Sequence, residues 1–262
     1  TVRTFASSVS LMGSFKCVHS FVAAGLAIML MAGCAGTGAN ATNQAKAEYA
    51  YKLASNYYAD RNIAMTQREL HNALKLDPNH VQALNLRGFV RLGLKDIGGA
   101  IADFQQVLNL DPDFQEARNN LGSALIAQGR YHEAIEVLEP LLEDPLYPTP
   151  AFAQGNVGWA YFQLQQYADA KRHTAMAVFL NPRFCVGLNN LGQICKAMGD
   201  IREAVSNLEK AIKTCPMYAE PHYHLGVIYQ EMGQLTEAAA AFAKCVELAP
   251  ETALGKRCAI RQ

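Results

Sequence analysis

The sequence predicts an all-α fold, a right-handed superhelical solenoid of six helical hairpins. Two observations predict it. Small residues return at the same offsets before each of six prolines, and one large apolar residue does so in five of the six copies. The prolines themselves are 34 or 36 residues apart, at Pro78, Pro112, Pro148, Pro182, Pro216 and Pro250. A period of this length indicates one supersecondary unit that is repeated, with neighbouring copies stacking to bury a shared core.

Each part of the repeat has a packing role. Counting back from the prolines places six repeats within residues 45–250, at about 47–80, 81–114, 115–150, 151–184, 185–218 and 219–250. Position 8 is small in all six copies and position 20 in five of them, with Thr66 in the first, because the two helices of a hairpin must approach closely there and a larger side chain would overpack the contact. Position 24 carries the side chain that fills the contact, as Leu70, Phe104, Leu138, Thr174, Leu208 and Phe242. Residues 251–262 are expected to form a C-terminal tail or cap.

This pattern resembles the tetratricopeptide repeat (TPR), a 34-residue helical hairpin with small residues at these offsets and a proline at its end. The resemblance implies six TPR hairpins whose first helices line a concave wall. Concave walls of stacked repeats are extended binding surfaces. The resemblance therefore implies a module that binds other proteins.

The segment before the repeats differs in composition. Arg3 and Lys16 precede a short apolar run at residues 21–31, which is typical of a secretory signal peptide and shorter than a membrane span. Cys34 follows small residues and resembles the lipidated cysteine of a bacterial lipobox. We therefore expect a lipoprotein signal peptide at 1–33, then a lipidated N-terminus and flexible tether at 34–44. The alternatives are an uncleaved inner-membrane anchor, or a plain signal peptide with a chance cysteine.

The residue after the cysteine, Ala35, resembles the pattern of lipoproteins sorted to the outer membrane, where the protein would be anchored by lipid and face the periplasm. The formal net charge is zero, and no basic face or polybasic patch is apparent. We therefore expect no nucleic-acid partner, and membrane attachment through the acyl chains rather than through basic residues. No cofactor is expected apart from the covalent lipid on Cys34.

Five cysteines lie in the last two repeats and the tail. Export would bring them into an oxidising compartment, which permits disulfides. Cys185 opens the first helix of repeat five and Cys215 closes its second, so the antiparallel hairpin places them side by side. Cys245 and Cys258 would similarly join repeat six to the tail, while Cys195 is expected as a buried thiol. The alternative is that all five are small buried hydrophobic residues.

Catalytic or metal-binding patterns are not apparent. His222 and His224 are two residues apart and point to different sides of a helix, and no Cys-x-x-Cys, phosphate loop or nucleophile elbow is present. We expect neither an enzyme nor a small-molecule substrate.

The concave wall is the expected binding surface. TPR positions 2, 5, 6, 9 and 12 of the first helices would supply it, with Asn85, Phe89, Asn119, Asn120, Phe152, Asn156, Trp159, Phe162, Asn189, Asn190 and Tyr223. Aromatic anchors with adaptable amides are common in binding hot spots. The alternative is that the aromatics pack between hairpins and the asparagines belong to the repeat itself. Because the wall lacks a Lys/Arg set that would clamp a terminal carboxylate, an apolar strand or helix of a partner is expected.

One junction between repeats is irregular. It follows repeat three and ends in Leu146-Tyr147-Pro148. Together with the lipobox, with residues 118–122 and 128–131 before the junction and with residues 156–158 after it, this junction resembles the type IV pilus pilotin family, the PilF/PilW/Tgl-type TPR lipoproteins of pilus biogenesis and stability. The cysteine-rich repeats five and six depart from that family.

The resemblance implies an outer-membrane pilotin that binds the secretin subunit of the type IV pilus machine and promotes its localisation and multimerisation, and hence pilus assembly and motility. The alternative is a general periplasm-facing TPR scaffold lipoprotein for cell-wall enzymes or outer-membrane protein assembly. The two hypotheses differ in the partners that the protein would capture.

Overall fold

The computed structural model of the protein describes the backbone of residues 22–261 and the side chains of residues 40–261. Thirteen helices and no strand are present in this part of the chain. The helices are α1 (Val22–Ala59), α2 (Ile63–Leu76), α3 (Val81–Gly93), α4 (Ile97–Leu110), α5 (Gln115–Ala127), α6 (Tyr131–Glu143), α7 (Pro150–Gln163), α8 (Tyr167–Leu180), α9 (Cys185–Ala197), α10 (Ile201–Thr214), α11 (Glu220–Glu231), α12 (Leu235–Leu248) and α13 (Ala253–Ala259). The predicted all-α solenoid of helical hairpins is confirmed.

Six hairpins, from α1–α2 to α11–α12, are stacked along the chain. Each first helix contacts its own second helix, and each second helix contacts the next first helix. Consecutive first helices also contact one another, whereas consecutive second helices do not in the described residues. The first helices are therefore closer together, which curves the stack and places them on its concave side.

The contact between position 8 and position 24 holds each hairpin closed. Phe104 and Phe242 are completely buried, and each lies against the glycine of the facing helix. A Cβ atom added to Gly88 would lie 2.7 Å from Cε1 of Phe104, and one added to Gly226 would lie 2.6 Å from Cε1 of Phe242. Glycine is required at these positions because the aromatic ring occupies the space of a side chain.

The irregular junction between α6 and α7 contains a buried anchor. Tyr147 is only 5% exposed and packs with Leu138, Leu141 and Val157. Its neighbour Leu146 is 85% exposed. The Leu-Tyr-Pro segment thus inserts its tyrosine between repeats three and four and leaves its leucine on the surface.

Helix α1 begins long before the first repeat and includes residues 34–44, the segment predicted as a lipidated N-terminus and tether. The backbone of these residues is helical in the structure. Alanines favour helix, and extending an existing helix requires ordering one residue per hydrogen bond. Burial does not hold this part of α1, because the side chains from Asn40 to Lys46 are exposed and the first buried one is Ala47.

Most of the predicted signal peptide, residues 1–21, and the side chain of the predicted lipidation residue Cys34 lie outside the described residues. Among the helices that the structure describes, none combines the length and the apolar character needed to cross a membrane.

Candidate functional site

The asparagines predicted for the concave wall are engaged with one another. Asn120 donates from Nδ2 to Oδ1 of Asn85 at 3.1 Å, and both side chains are buried. Asn156 donates from Nδ2 to Oδ1 of Asn119 at 3.1 Å and to Oγ of Ser123 at 2.9 Å. These bonds join neighbouring first helices. The amides at position 6 of repeats three and four therefore connect repeats, rather than standing free for a partner's backbone.

The asparagines of repeat five are arranged differently. Asn189 is 3% exposed, and its Oδ1 has no hydrogen-bond partner among the described residues. Asn190 is partly buried. Asn190 is at position 6, and position 5 of the preceding repeat is Gly155, which offers no side-chain amide, so the series of amide bonds does not continue here.

The aromatics of repeat four divide into two pairs. Trp159 stacks on Phe162 with ring centroids 4.9 Å apart, and both rings are partly buried. Phe152, which is 42% exposed, makes an edge contact with Phe184 at 5.2 Å. The sequence predicts that Phe152, Trp159 and Phe162 form one cluster, but the structure places Phe152 against the next junction.

Another aromatic surface lies at the other end of the wall. We call it the N-terminal groove. It consists of two adjoining depressions of about 420 and 370 Å³ that share Tyr58 and Phe89. Their other lining residues are Tyr51, Ser55, Ile63, Gln82, Asn85, Leu86, Val90, Leu92, Gly93, Leu94, Phe114 and Glu116. Phe89 is 42% exposed and meets the edge of Tyr58 at 5.8 Å.

Only Asn85 and Phe89 of this groove are in the predicted set of binding residues. The missed residues Tyr51, Ser55 and Tyr58 occupy positions 5, 9 and 12 of the first repeat, so the rule used for the other repeats also assigns them to the concave wall.

The N-terminal groove carries negative charge. Burial raises the pKa of Tyr51, and the nearby carboxylates Glu116 and Glu48 raise it further.

A separate depression, which we call the C-terminal groove, has a volume of about 470 Å³ and is lined by α7, α9, α10 and α11. Its residues are Phe162, Gly192, Gln193, Lys196, Ala197, Leu208, His224, Ile228 and Glu231. Lys196 and Glu231 form an ion pair at 2.7 Å on its rim. The pKa of His224 is lowered to about 4, mainly because burial disfavours the imidazolium and also because Lys196 and Arg257 are close.

The predicted binding residue Tyr223 is covered by α13. It is 8% exposed, and the Arg257 guanidinium lies 4.5 Å from the centroid of its ring. Nη2 of Arg257 also donates to the Tyr223 hydroxyl at 2.7 Å. Tyr223 is therefore part of the contact between the last hairpin and the cap.

The cysteines of repeats five and six form two pairs. Cys185 is bonded to Cys215, and Cys245 to Cys258, in each case with Cα atoms 6.2 Å apart. Cys195 is a free, fully buried thiol whose pKa is raised to about 11, chiefly by burial. It is therefore protonated and unreactive at neutral pH.

Within residues 40–261, no group of three or more His, Cys, Asp or Glu side chains is arranged to hold a metal ion.

The solenoid, its concave wall and its grooves define a class, that of helical repeat proteins. Sequence profiles described as TPR repeat or tetratricopeptide repeat match residues 51–113, 91–145, 192–233 and 219–252. This chain is a tetratricopeptide repeat protein, and its solenoid is a scaffold for protein–protein interaction.

Two solved structures are similar over nearly their full lengths. One is the crystal structure of PilW, described as a widely conserved type IV pilus biogenesis factor, with a TM-score of 0.71, 23% identity, and coverage of 80% of this chain and 97% of that one. The other is pilF of Pseudomonas aeruginosa, with a TM-score of 0.67, 18% identity, and coverage of 84% and 100%. At these identities the likeness establishes the fold.

Curated relatives match by sequence over shorter parts. A DnaJ homolog subfamily C member 7 homolog of Schizosaccharomyces pombe is 28% identical over 188 residues, which cover 66% of this chain and 40% of that protein. An FK506-binding protein-like protein of Mus musculus is 43% identical over 61 residues, which cover 23% and 17%. The chain thus spans two fifths or less of these two relatives.

Proposed function

We propose that this protein is an outer-membrane lipoprotein pilotin, which binds the type IV pilus secretin and promotes its outer-membrane localisation and multimerisation. Pilus assembly and pilus-dependent motility would depend on it. The observation that carries the proposal is the likeness to PilW and pilF. It extends over 97% and 100% of those chains, and so includes the whole stack of hairpins rather than a few shared repeats.

The N-terminal groove is the place on this solenoid where the secretin segment would bind. It is aromatic, it lies on the concave wall, and it combines an exposed ring, Phe89, with polar groups such as Gln82. Apolar anchors surrounded by polar groups are the usual arrangement of a protein-binding hot spot. The bound segment would contribute one or two bulky apolar side chains. The protein would act by recognition, without a catalytic step or a cofactor.

Cys34 would carry the lipid that holds the complex at the outer membrane. The signal-peptide pattern and the cysteine after small residues support this role. The solenoid would then face the periplasm, where the two disulfides would be stable.

The test is whether the secretin forms heat- and SDS-resistant multimers in cells that lack this gene. We expect the multimers to be lost and to return with the wild-type gene. Cys34→Ala should restore them poorly, because the unlipidated protein is not held at the outer membrane.

Phe89→Glu tests the groove, and Phe179→Glu is its matched control. Phe179 is 79% exposed on α8, a second helix outside the concave wall. Phe89→Glu should fail to restore multimers and Phe179→Glu should succeed. Unchanged multimers in the deletion strain would refute the pilotin role and favour a general scaffold, whose co-purifying partners would be cell-wall enzymes or outer-membrane assembly proteins.

A further inference from the structure

The C-terminal end of the concave wall carries a pair of arginines from outside the six repeats. Helix α13 begins 34 residues after repeat six begins, so it takes the place of a seventh first helix. Arg257 and Arg261 then fall at positions 5 and 9, which face the concave side in the preceding repeats. The contact of Arg257 with Tyr223 and the bond from Nη1 of Arg261 to Oε1 of Gln230, at 2.9 Å, agree with this orientation.

The charges of these two arginines are not compensated. Each bonds to a neutral acceptor, a tyrosine hydroxyl or a glutamine amide, and neither forms an ion pair with a carboxylate in the described part of the chain. Among the described residues that line the C-terminal groove, Glu231 is the only acidic one, and it is paired with Lys196. A guanidinium has five N–H donors, so each arginine retains several donors for another ligand.

The opposite end of the wall has the opposite sign. Glu116 lines the N-terminal groove and has no ion-pair or hydrogen-bond partner among the described side chains, whereas the nearby Glu48 is paired with Lys52 and His80. A ligand attracted by the arginines would therefore be repelled by the N-terminal groove. The two ends of the concave wall therefore favour ligands of opposite charge.

The C-terminal groove also has an apolar floor. Phe162, Leu208 and Ile228 line it, together with Lys196 and His224. Tyr223, beneath the arginines, is 5.2 Å from His224 between ring centroids, so the basic pair adjoins this floor. A ligand that fits would place an apolar side chain on the floor and carboxylates against the arginines.

We propose that Arg257, Arg261 and Lys196 form a binding site for an acidic segment of a partner protein, with the segment's apolar side chains in the C-terminal groove. Charge-assisted hydrogen bonds from arginine to carboxylate are strong and directional, which suits this role. The Cys245–Cys258 bond attaches α13 to α12 and so positions both arginines. The pattern of the six repeats predicts no Lys/Arg set on this wall, because both arginines follow the sixth repeat.

The proposal rests on the proposed function only in that the ligand is a polypeptide, and it is tested separately. The probe is a fluorescein-labelled peptide of alternating Glu and Leu, compared with the same peptide carrying Gln in place of Glu. Fluorescence anisotropy measures binding to the full chain. We expect the Glu peptide to bind at least about tenfold more tightly, and its affinity to fall as salt is raised.

The variant Arg257→Gln/Arg261→Gln should weaken binding of the Glu peptide about tenfold or more. Its matched control is Arg202→Gln/Lys210→Gln, which removes the same charge from exposed positions of α10 and should change binding less than about twofold. Hydrogen exchange in α13 shows whether the cap stays docked in the arginine variant.

Undocking of the cap in the arginine variant would also weaken peptide binding. Glu231→Gln is a second variant that leaves α13 unchanged. It removes the carboxylate that competes for Lys196, so it should tighten binding of the Glu peptide.

Three results would overturn the proposal: equal affinity for the Glu and Gln peptides, no binding of the Glu peptide up to about 1 mM, or an unchanged affinity in both the arginine and Glu231 variants. Phe89→Glu should leave peptide binding intact, so a failure of the pilotin role would not be mistaken for a failure of this site.

Discussion

Single residues set how closely the helices of a hairpin approach. The glycine at position 8 leaves room for the side chain at position 24, so the two helices approach closely at their crossing point. The free-energy cost of substituting this glycine depends on the atoms that the new side chain contacts. A comparison of Gly88 with Gly93, both in α3, distinguishes that effect from the effect of helix propensity.

Gly88→Ala should lower the free energy of unfolding by about 1–3 kcal/mol, because its Cβ would overlap the fully buried ring of Phe104. Gly93→Ala is the control, since a Cβ there meets no atom within 4 Å, and it should be neutral or stabilising by up to about 1 kcal/mol. Denaturant unfolding followed by circular dichroism measures both. Equal effects of the two substitutions would mean that the close approach is unimportant.

His224 makes stability depend on pH. Its pKa in the folded protein is lowered to about 4, against about 6.5 for an unperturbed histidine. As the pH falls from about 6.5 to about 4, the unfolded chain binds a proton that the folded chain does not bind. The free energy of unfolding should therefore fall over this range, by at most about 1.4 kcal/mol per pH unit from this group.

His224→Gln should make the decrease shallower, in unfolding measured from pH 8 to pH 4.5. The difference between variant and wild type at pH 8 reports lost packing, which makes it an internal control. Parallel pH curves for the two proteins would contradict the assignment to His224.

At the scale of elements, the last helix is held by one covalent bond and a few side-chain contacts. Helix α13 has only seven residues, and an isolated helix of that length is unstable in water. Cys245 and Cys258 are fully buried where it meets α12, and Arg257 packs on Tyr223 of α11.

Cys245→Ala/Cys258→Ala should destabilise the protein by about 2–3 kcal/mol, because the bond closes a loop with a sequence separation of 13. Amides of α13 should then exchange with solvent much faster. Cys185→Ala/Cys215→Ala, the matched control, should lower stability while α13 stays protected. Slow exchange of α13 in the first variant would show that its non-covalent contacts suffice.

At the scale of the whole molecule, the solenoid depends on contacts between neighbouring repeats. Part of this coupling is the series of buried and half-buried amides along the concave wall, where an asparagine at position 6 of one repeat donates to an asparagine at position 5 of the preceding repeat. Such a series stiffens the wall on which a partner would bind.

A double-mutant cycle with Asn85→Ala and Asn120→Ala should give a coupling energy of about 1 kcal/mol, because the two side chains share a buried hydrogen bond. A cycle with Asn85→Ala and Asn156→Ala, which share no bond, should be additive within about 0.5 kcal/mol. Denaturant midpoints supply the energies. Coupling of equal size in both cycles would mean that the amides act through general stability.

The sequence by itself determined the repeat, its period and the hairpin fold. Packing at positions 8, 20 and 24 is local to each hairpin, so six copies of the same pattern were enough to predict it. The pairing of Cys185 with Cys215 could be anticipated for the same reason, since the antiparallel geometry of one hairpin brings the ends of its helices together.

Only the tertiary structure decided which side chains of the concave wall are available. Asn120 and Asn156 bond across repeats, Tyr223 lies beneath a cap, and an aromatic groove forms at Tyr58 and Phe89. The physical reason is that each of these depends on the distance between neighbouring repeats. Curvature and stacking set that distance, and the residue pattern of a single repeat does not determine the distance.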